Sequence, residues 1–368
     1  EWGRGIQAWD LLIKPFIQYV AQWEDNVFYD RKNKRADFIN RLSSGVTAEL
    51  PINGGQHLLS GGFVDDAEWY SRFGDQNHND YAFNGALDLN FVPFSLNVED
   101  LQRHTTDRAD TEFTSLVVRD ENTARALLEI PFAAFFIETE ALNFNAAYRL
   151  PENRIFNHND FTVFPRLGFD VAPSTQFLVE YGYENLDYPK QTERNGDANQ
   201  AMLGLRGMLN ERMVYQAWGG AQWRIYDDPI RPDYNGMVFR AALQYDLTDK
   251  SNIVLKFNRD PQESTFDDQS FYIRNKASIL WRQQVAERIF ALLDGSLSYN
   301  EYSRITTMDN ETKTRRDYVW ESAAGFEYTM PNDLVKVFGE YRYRARVCTF
   351  NTLGYGDNQL NVGVKTVF

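Results

Sequence analysis

The sequence predicts an all-β fold, a transmembrane antiparallel β-barrel of about eighteen strands, an even number as single-chain bacterial barrels have. Three observations carry this. Apolar side chains fall on every second position through most of the chain, the period of a strand with two different faces. Short turns and longer charged loops alternate between those stretches. Aromatics make up 15% of the 368 residues, with 27 Phe, 20 Tyr and 8 Trp, although mean hydropathy is negative. No apolar run approaches the ~20 residues of a transmembrane helix. Abundant aromatic surface without such runs suits a barrel with interfacial girdles and a polar interior.

Strands are expected to begin near residues 11, 37, 56, 80, 94, 117, 134, 158, 175, 198, 212, 236, 251, 269, 288, 316, 334 and 357. In the first, Ile13, Pro15, Ile17, Tyr19, Ala21 and Trp23 alternate with Lys14, Gln18, Gln22 and Glu24. Phe177, Val179, Tyr181 and Tyr183 alternate with Gln176, Glu180 and Glu184. Met237, Phe239, Ala241, Leu243 and Tyr245 oppose Arg240, Gln244 and Asp246. Over 335–347 the odd positions are mostly apolar or aromatic, and the even ones carry Lys336, Glu340, Arg342, Arg344 and Arg346. A helix would mix Arg342 with Ala345 and Arg346, so period two prevails. Alternation is broken in residues 94–130, where the strand count is least fixed. In the last strand Leu360, Val362, Val364 and Phe368 share one face. A terminal aromatic after such a strand is the expected signal to the barrel-assembly machinery.

Short connections such as 51–55, 172–174, 209–211, 248–250, 286–287 and 330–333 carry turn chemistry. Longer ones fall at 25–36, 71–79, 104–116, 187–197, 227–235, 260–268, 303–315 and 348–356. Short turns then line the periplasmic rim, with both termini, and longer loops the extracellular rim. Residues 11–368 form the expected barrel, preceded by an N-terminal periplasmic segment, 1–10. No signal peptide is visible at Glu1; a barrel must cross the inner membrane, so a mature or trimmed chain is expected.

Cys348 is the only cysteine, which excludes an intrachain disulfide, and the net charge of −14 disfavours nucleic acid as a partner. No G-x-S-x-G, H-E-x-x-H or glycine-rich phosphate loop is present, and the four histidines form no catalytic pattern. An enzyme is not expected, nor a cofactor. Acidic loop segments 25–30, 227–233 and 260–268 offer oxygen ligands that could bridge lipopolysaccharide through divalent ions. None has EF-hand spacing, so no metal site is assigned.

Three segments, KPFIQYVAQWEDNVFYD (14–30), SSGVTAELP (43–51) and HLLSGGFVDDAEWYSRFGDQNHNDYAFNGALDLNF (57–91), resemble a family of bacterial outer-membrane β-barrels. Its members often accompany exopolysaccharide synthesis and export genes. The resemblance implies an integral outer-membrane protein that moves polysaccharide outward, with periplasmic export proteins as partners. It supplies no catalytic residues.

A barrel of this size leaves an aqueous lumen, so the inward-facing residues are the candidate functional set. Its expected basic members are Arg206, Arg224, Arg240, Lys256, Arg274, Lys276, Arg282, Lys336, Arg342, Arg344 and Arg346. Its expected acidic members are Glu129, Glu138, Glu140, Asp170, Glu180 and Glu184. Guanidinium groups in series could guide an anionic polymer, since each pairs with a carboxylate or sulfate. Equally, they could pair with lumenal carboxylates and merely solvate the wall. Trp218 and Tyr272 could stack on sugar rings or simply pack. Trp23, Trp223, Trp281, Trp320, Tyr341 and Tyr343 are expected outside, as membrane-interface anchors. A conduit for anionic exopolysaccharide, a general or solute-selective porin, and a structural anchor for a surface assembly all fit this pattern. Occlusion is expected from several loops together, from the N-terminal segment, or from a periplasmic partner.

Overall fold

Sequence-adjacent antiparallel strands make a barrel only if the last strand finds the first, and in this chain it does. The computed structural model describes residues 5–108, 112–266, 269–331 and 333–368. Its strands are β1 (Ile6–Ala8), β2 (Leu11–Glu24), β3 (Asp37–Ile52), β4 (His57–Tyr70), β5 (His78–Asn90), β6 (Ser95–Asp107) and β7 (Val117–Pro131). They continue with β8 (Phe135–Tyr148), β9 (His158–Ala172), β10 (Thr175–Asp187), β11 (Gly196–Asn210), β12 (Met213–Tyr226) and β13 (Tyr234–Thr248). The last are β14 (Ser251–Glu263), β15 (Phe271–Ala286), β16 (Ile289–Met308), β17 (Glu311–Thr329), β18 (Val335–Cys348) and β19 (Tyr355–Val367). Each of β2–β19 pairs with its sequence neighbour, and β19 returns to β2 in a register running from Gln359↔Glu24 to Val367↔Phe16. The eighteen strands β2–β19 therefore form a closed antiparallel barrel with no free edge.

The seam has its own clasp. Phe368 donates its N–H to the Pro15 carbonyl at 3.0 Å, and its carbonyl accepts the Gly5 N–H, also at 3.0 Å. From there β1 takes over the edge of β2 that β19 has left, with Ile6 opposite Ile13 and Ala8 opposite Leu11. The described part of the N-terminal segment thus lies in the wall and not across the lumen; residues 1–4 lie outside the described residues.

The expected strand starts fall within a few residues of the observed ones, including two regular strands, β6 and β7, inside 94–130. One expected loop is corrected: 303–315 is mostly sheet. Here β16 and β17 run on beyond the rim, with Ile305 opposite Thr314 and Met308 opposite Glu311. Asp309 and Asn310 turn the chain at φ of 56° and 61°. Two consecutive positive φ values make the tight hairpin turn that Asp and Asn tolerate, so no longer connection is needed. On the periplasmic rim, Asn53, Gly54 and Gly55 take φ of 54°, 68° and 90°, which favours glycine there. Residues 109–111 and 267–268 of the expected loops, and 332 of the expected short connection 330–333, lie outside the described residues.

Candidate functional site: the lumen

Ladder register decides which side chains enter the pore, because residues directly opposite each other share a face. All eleven sequence-predicted cations lie on the lumenal side, as do Glu129, Glu138, Glu140, Asp170, Glu180 and Glu184. Trp23, Trp223, Trp281, Trp320, Tyr341 and Tyr343 face outward.

Four of the cations descend one strand at a time. Arg224 is the third residue from the extracellular end of β12, Arg240 the seventh of β13, Lys256 the eighth of β14 and Arg282 the twelfth of β15. They form a staircase from one rim toward the other. Nine strands away, half of the circumference, β4–β6 carry Asp66, Asp88 and Glu99 inward, with Glu49 beside them on β3. One wall is basic and the facing wall acidic, so a field runs across the pore.

Most of the basic groups are already engaged. Arg166 is the hub of the first wall network, bonding Glu138 and Glu180 at 2.6 Å each and Glu140 at 2.9 Å. Arg206 reaches Glu138 at 3.0 Å, Arg240 reaches Glu180 at 2.5 Å, and Arg125 reaches Glu140 at 2.6 Å. Burial explains the density of pairing: the Glu180 side chain has no exposed surface, and a lone charge there would be costly. Arg224 is held by Glu184 at 2.7 Å and by Glu263. Arg274 bonds Asp260 at 3.1 Å, while Arg282 and Lys336 share Glu327 at 3.5 and 3.3 Å. The run on β18 is tied as well. Arg342 bonds Glu340 at 3.1 Å, Arg344 bonds Glu321 and the Tyr29 hydroxyl, and Arg346 donates to the Leu353 carbonyl at 2.5 Å. Among the described residues, Lys256 and Lys276 have no ion-pair partner. They sit diagonally on neighbouring strands, as Lys256 faces Ser278 and Lys276 faces Asn258.

The extracellular half is spanned by loops. Glu112, in the β6–β7 connection, is buried, with its carboxylate accepting from Ser264 Oγ at 2.8 Å and from the N–H (2.5 Å) and Oγ1 (2.7 Å) of Thr265. Ser264 and Thr265 belong to the β14–β15 connection, eight strands round the barrel. That connection is held inward by Arg194, which donates to the Ser264 and Phe266 carbonyls, and by Arg315, whose guanidinium lies 4.4 Å from the Phe266 ring. Arg108 adds a second tie, donating to the Val27 carbonyl at 2.6 Å and lying 3.6 Å from the Tyr29 ring. Cavities of about 280 and 670 Å³ flank this bridge, one against β7–β12 and the other against β18–β19 and β2–β6.

Sequence reasoning placed the lumenal cations but missed Arg166, which shares the parity of Asp160 and Asp170 and could have been found that way. It missed the Glu112 bridge too, because loop contacts leave no periodic signal. Tyr272 is buried, its ring centre 5.1 Å from that of Tyr302, whereas Trp218 is half-buried with Arg240 5.4 Å from its ring.

Over residues 3–368 the sequence matches the family described as "Putative beta-barrel porin 2". By sequence it matches no curated protein. Among solved structures it is similar to a BenF-like porin from Pseudomonas fluorescens Pf-5, with 8% identity, TM-score 0.53, and coverage of 98% of this chain and 99% of that one. It is similar also to OpdO of Pseudomonas aeruginosa, at 12% identity and TM-score 0.52, with 98% of both chains covered. OccK2 (OpdF) of Pseudomonas aeruginosa, solved in complex with glucuronate, matches at 9% identity and TM-score 0.53, again over 98% of both chains. At such identities the likeness shows the fold. The chain belongs to the putative β-barrel porin 2 family, and it is a porin-like β-barrel of the bacterial outer membrane.

Proposed function

We propose that this member of the family conducts acidic carbohydrate, the carboxylate led along the basic staircase and the hydroxyl groups turned to the acidic wall. The observation that carries the reading is the opposition of Arg240, Lys256 and Arg282 to Asp66, Asp88 and Glu99 across the pore. Sugar hydroxyls donate well to carboxylates, and a sugar acid's own carboxylate accepts from ammonium and guanidinium groups. Lys256 and Lys276 are the points at which a passing anion displaces no internal partner. The solved structure of OccK2 (OpdF) with glucuronate supplies a precedent for this solute class on the same fold.

A second reading, export of an anionic exopolysaccharide, draws on the length of the staircase, which runs over most of the barrel height. Linked sugar acids could be handed from step to step, with periplasmic export proteins supplying direction. The Glu112 bridge favours single units or one extended strand over anything wider. Liposome swelling separates these possibilities. Glucuronate should enter faster than glucose, and Lys256→Glu with Lys276→Glu should abolish the preference. Equal entry of both sugars would defeat the acidic-carbohydrate reading, and entry of oligomers at the monomer's rate would favour polymer export.

A further inference from the structure

The break in alternation over 94–130 has a structural cause, and it lies on the outside of the barrel. One row across β4–β8 sets Gly61, Gly85, Asp100, Ala124 and Asn143 side by side, all facing outward. The next row toward the extracellular rim adds Gln102 on β6, Asn122 on β7 and Asn145 on β8. Asp100 is the sixth of the thirteen residues of β6, midway down the strand, and it is exposed. Its side chain accepts 2.9 Å from Asn122 Nδ2. Elsewhere on the outer face, comparable positions hold exposed Leu203, Phe239, Leu255, Leu293 and Val362. A carboxylate and a set of amides at that depth are poor neighbours for acyl chains.

We infer that the outward face of β4–β8 is a protein–protein interface covered by a second copy of this chain, related by a two-fold axis along the membrane normal. The patch is its own complement. Carboxylates Asp65 and Asp100 lie on the β4–β6 half, and amides Asn122, Asn143 and Asn145 on the β7–β8 half. A half-turn about an axis between β6 and β7 brings each half against the other. Every copy inserts in the same orientation, so the polar bands meet at equal depth, as an isologous contact requires. Each amide offers both donors and an acceptor, so bonds made within one chain can be extended to the next. The floor of the patch is shallow. Gly85 and Ala124 flank Asp100, Gly61 lies beyond Gly85 in the same row, and a Cβ added at Gly85 would meet nothing within 4 Å. Small residues let two walls approach closely in a bilayer. Nearer the rim the pattern is internally settled, because His104 Nδ1 and Arg149 both bond Asp120. The deeper groups are paired only with neutral amides, Asp100 with Asn122 and Asn143 with Asn159, and their remaining N–H groups and lone pairs are the ones a partner can reach.

Mass photometry of the protein in lipid nanodiscs tests this, with cross-linking in intact outer membranes. The wild type should carry two chains per particle. In a Cys348→Ser background, Gln102→Cys should give a bis-maleimide product at twice the chain mass, while Leu255→Cys on the far side of the barrel should not. Asp100→Leu with Asn122→Leu suits lipid and should yield single chains that still show the heat-modifiable gel mobility of a folded barrel. One chain per particle in the wild type, or Gln102→Cys cross-linking no better than Leu255→Cys, would overturn the inference. A cross-linked product containing a different polypeptide would overturn it equally.

Discussion

At the scale of single residues, two kinds of lumenal cation must be distinguished. Arg166 is locked by three carboxylates and acts on the wall; Lys256 and Lys276 face the pore without a partner. Replacing Arg166 with Met would strip Glu138 and Glu180 of their shared partner and leave Arg206 and Arg240 as the one cation on each, a loss of at most about 3–5 kcal/mol, the range for a buried pair broken on one side. The expected outcome is a lower temperature for the shift from folded to unfolded gel mobility, with ion selectivity little changed. Lys256→Glu with Lys276→Glu should do the opposite. Folding stays intact, and the reversal potential in a salt gradient moves toward cations, each charge contributing on the order of 1 kcal/mol. A third residue, Asp25, ties loop 25–36 to β19. It accepts from the backbone and side chain of Asn358 at 2.8 and 2.7 Å and pairs with Lys34 at 3.1 Å. Partial burial pushes its carboxyl upward, but the Asn358 and Lys34 contacts outweigh this and hold it below the usual carboxylate range. A depressed value means that the tie is complete above the unfolded-state pKa and is lost as pH falls through the folded one. Loop 25–36 should therefore resist pepsin near pH 4 and become cleavable only in stronger acid; Asp25→Asn should remove that pH dependence.

At the scale of elements, strands were legible and loops were not. Period-two alternation locates β2 from Ile13 to Trp23 and β18 from Val335 to Val347, because one face meets lipid and the other water. Alternation weakens in β6 and β7 for a physical reason: Asp100, Gln102 and Asn122 put polar groups on the outward side as well. The β16–β17 extension was hidden by its charged and polar residues, and its only local mark is the Asp309–Asn310 turn. The loop bridge had no local mark at all. Glu112 and Thr265 are brought together by closure of the barrel, not by spacing. If the bridge limits the pore, Glu112→Ala should raise conductance about two-fold or more, as three hydrogen bonds worth about 1 kcal/mol each are lost. Unchanged conductance would place the limiting section elsewhere. The seam gives one more test. Phe368 closes the ring onto Pro15 and Gly5, so its removal should slow barrel assembly, read as accumulation of unfolded chain in pulse-labelled cells.

At the scale of the whole molecule, the proposed conduction rests on two opposed walls and a bridged extracellular half. The sequence showed that one stretch of wall is rich in Arg and Lys. It could not show that Glu49, Asp66, Asp88 and Glu99 stand opposite, because strand number, shear and closure decide which strands face each other. Nor could it show that Glu138 and Glu140 of β8 and Glu180 of β10 converge on Arg166 of β9, since register between the strands decides that contact. Single-channel recording in planar bilayers, with glucuronate oligomers added to either side, reads the guidance of an acidic solute by the basic wall. A modest conductance is expected, with brief blocks by the acidic oligomers, none by neutral glucose oligomers of equal length, and loss of block in Lys256→Glu with Lys276→Glu. Equal block by neutral and acidic oligomers, or block that survives the double substitution, would contradict it.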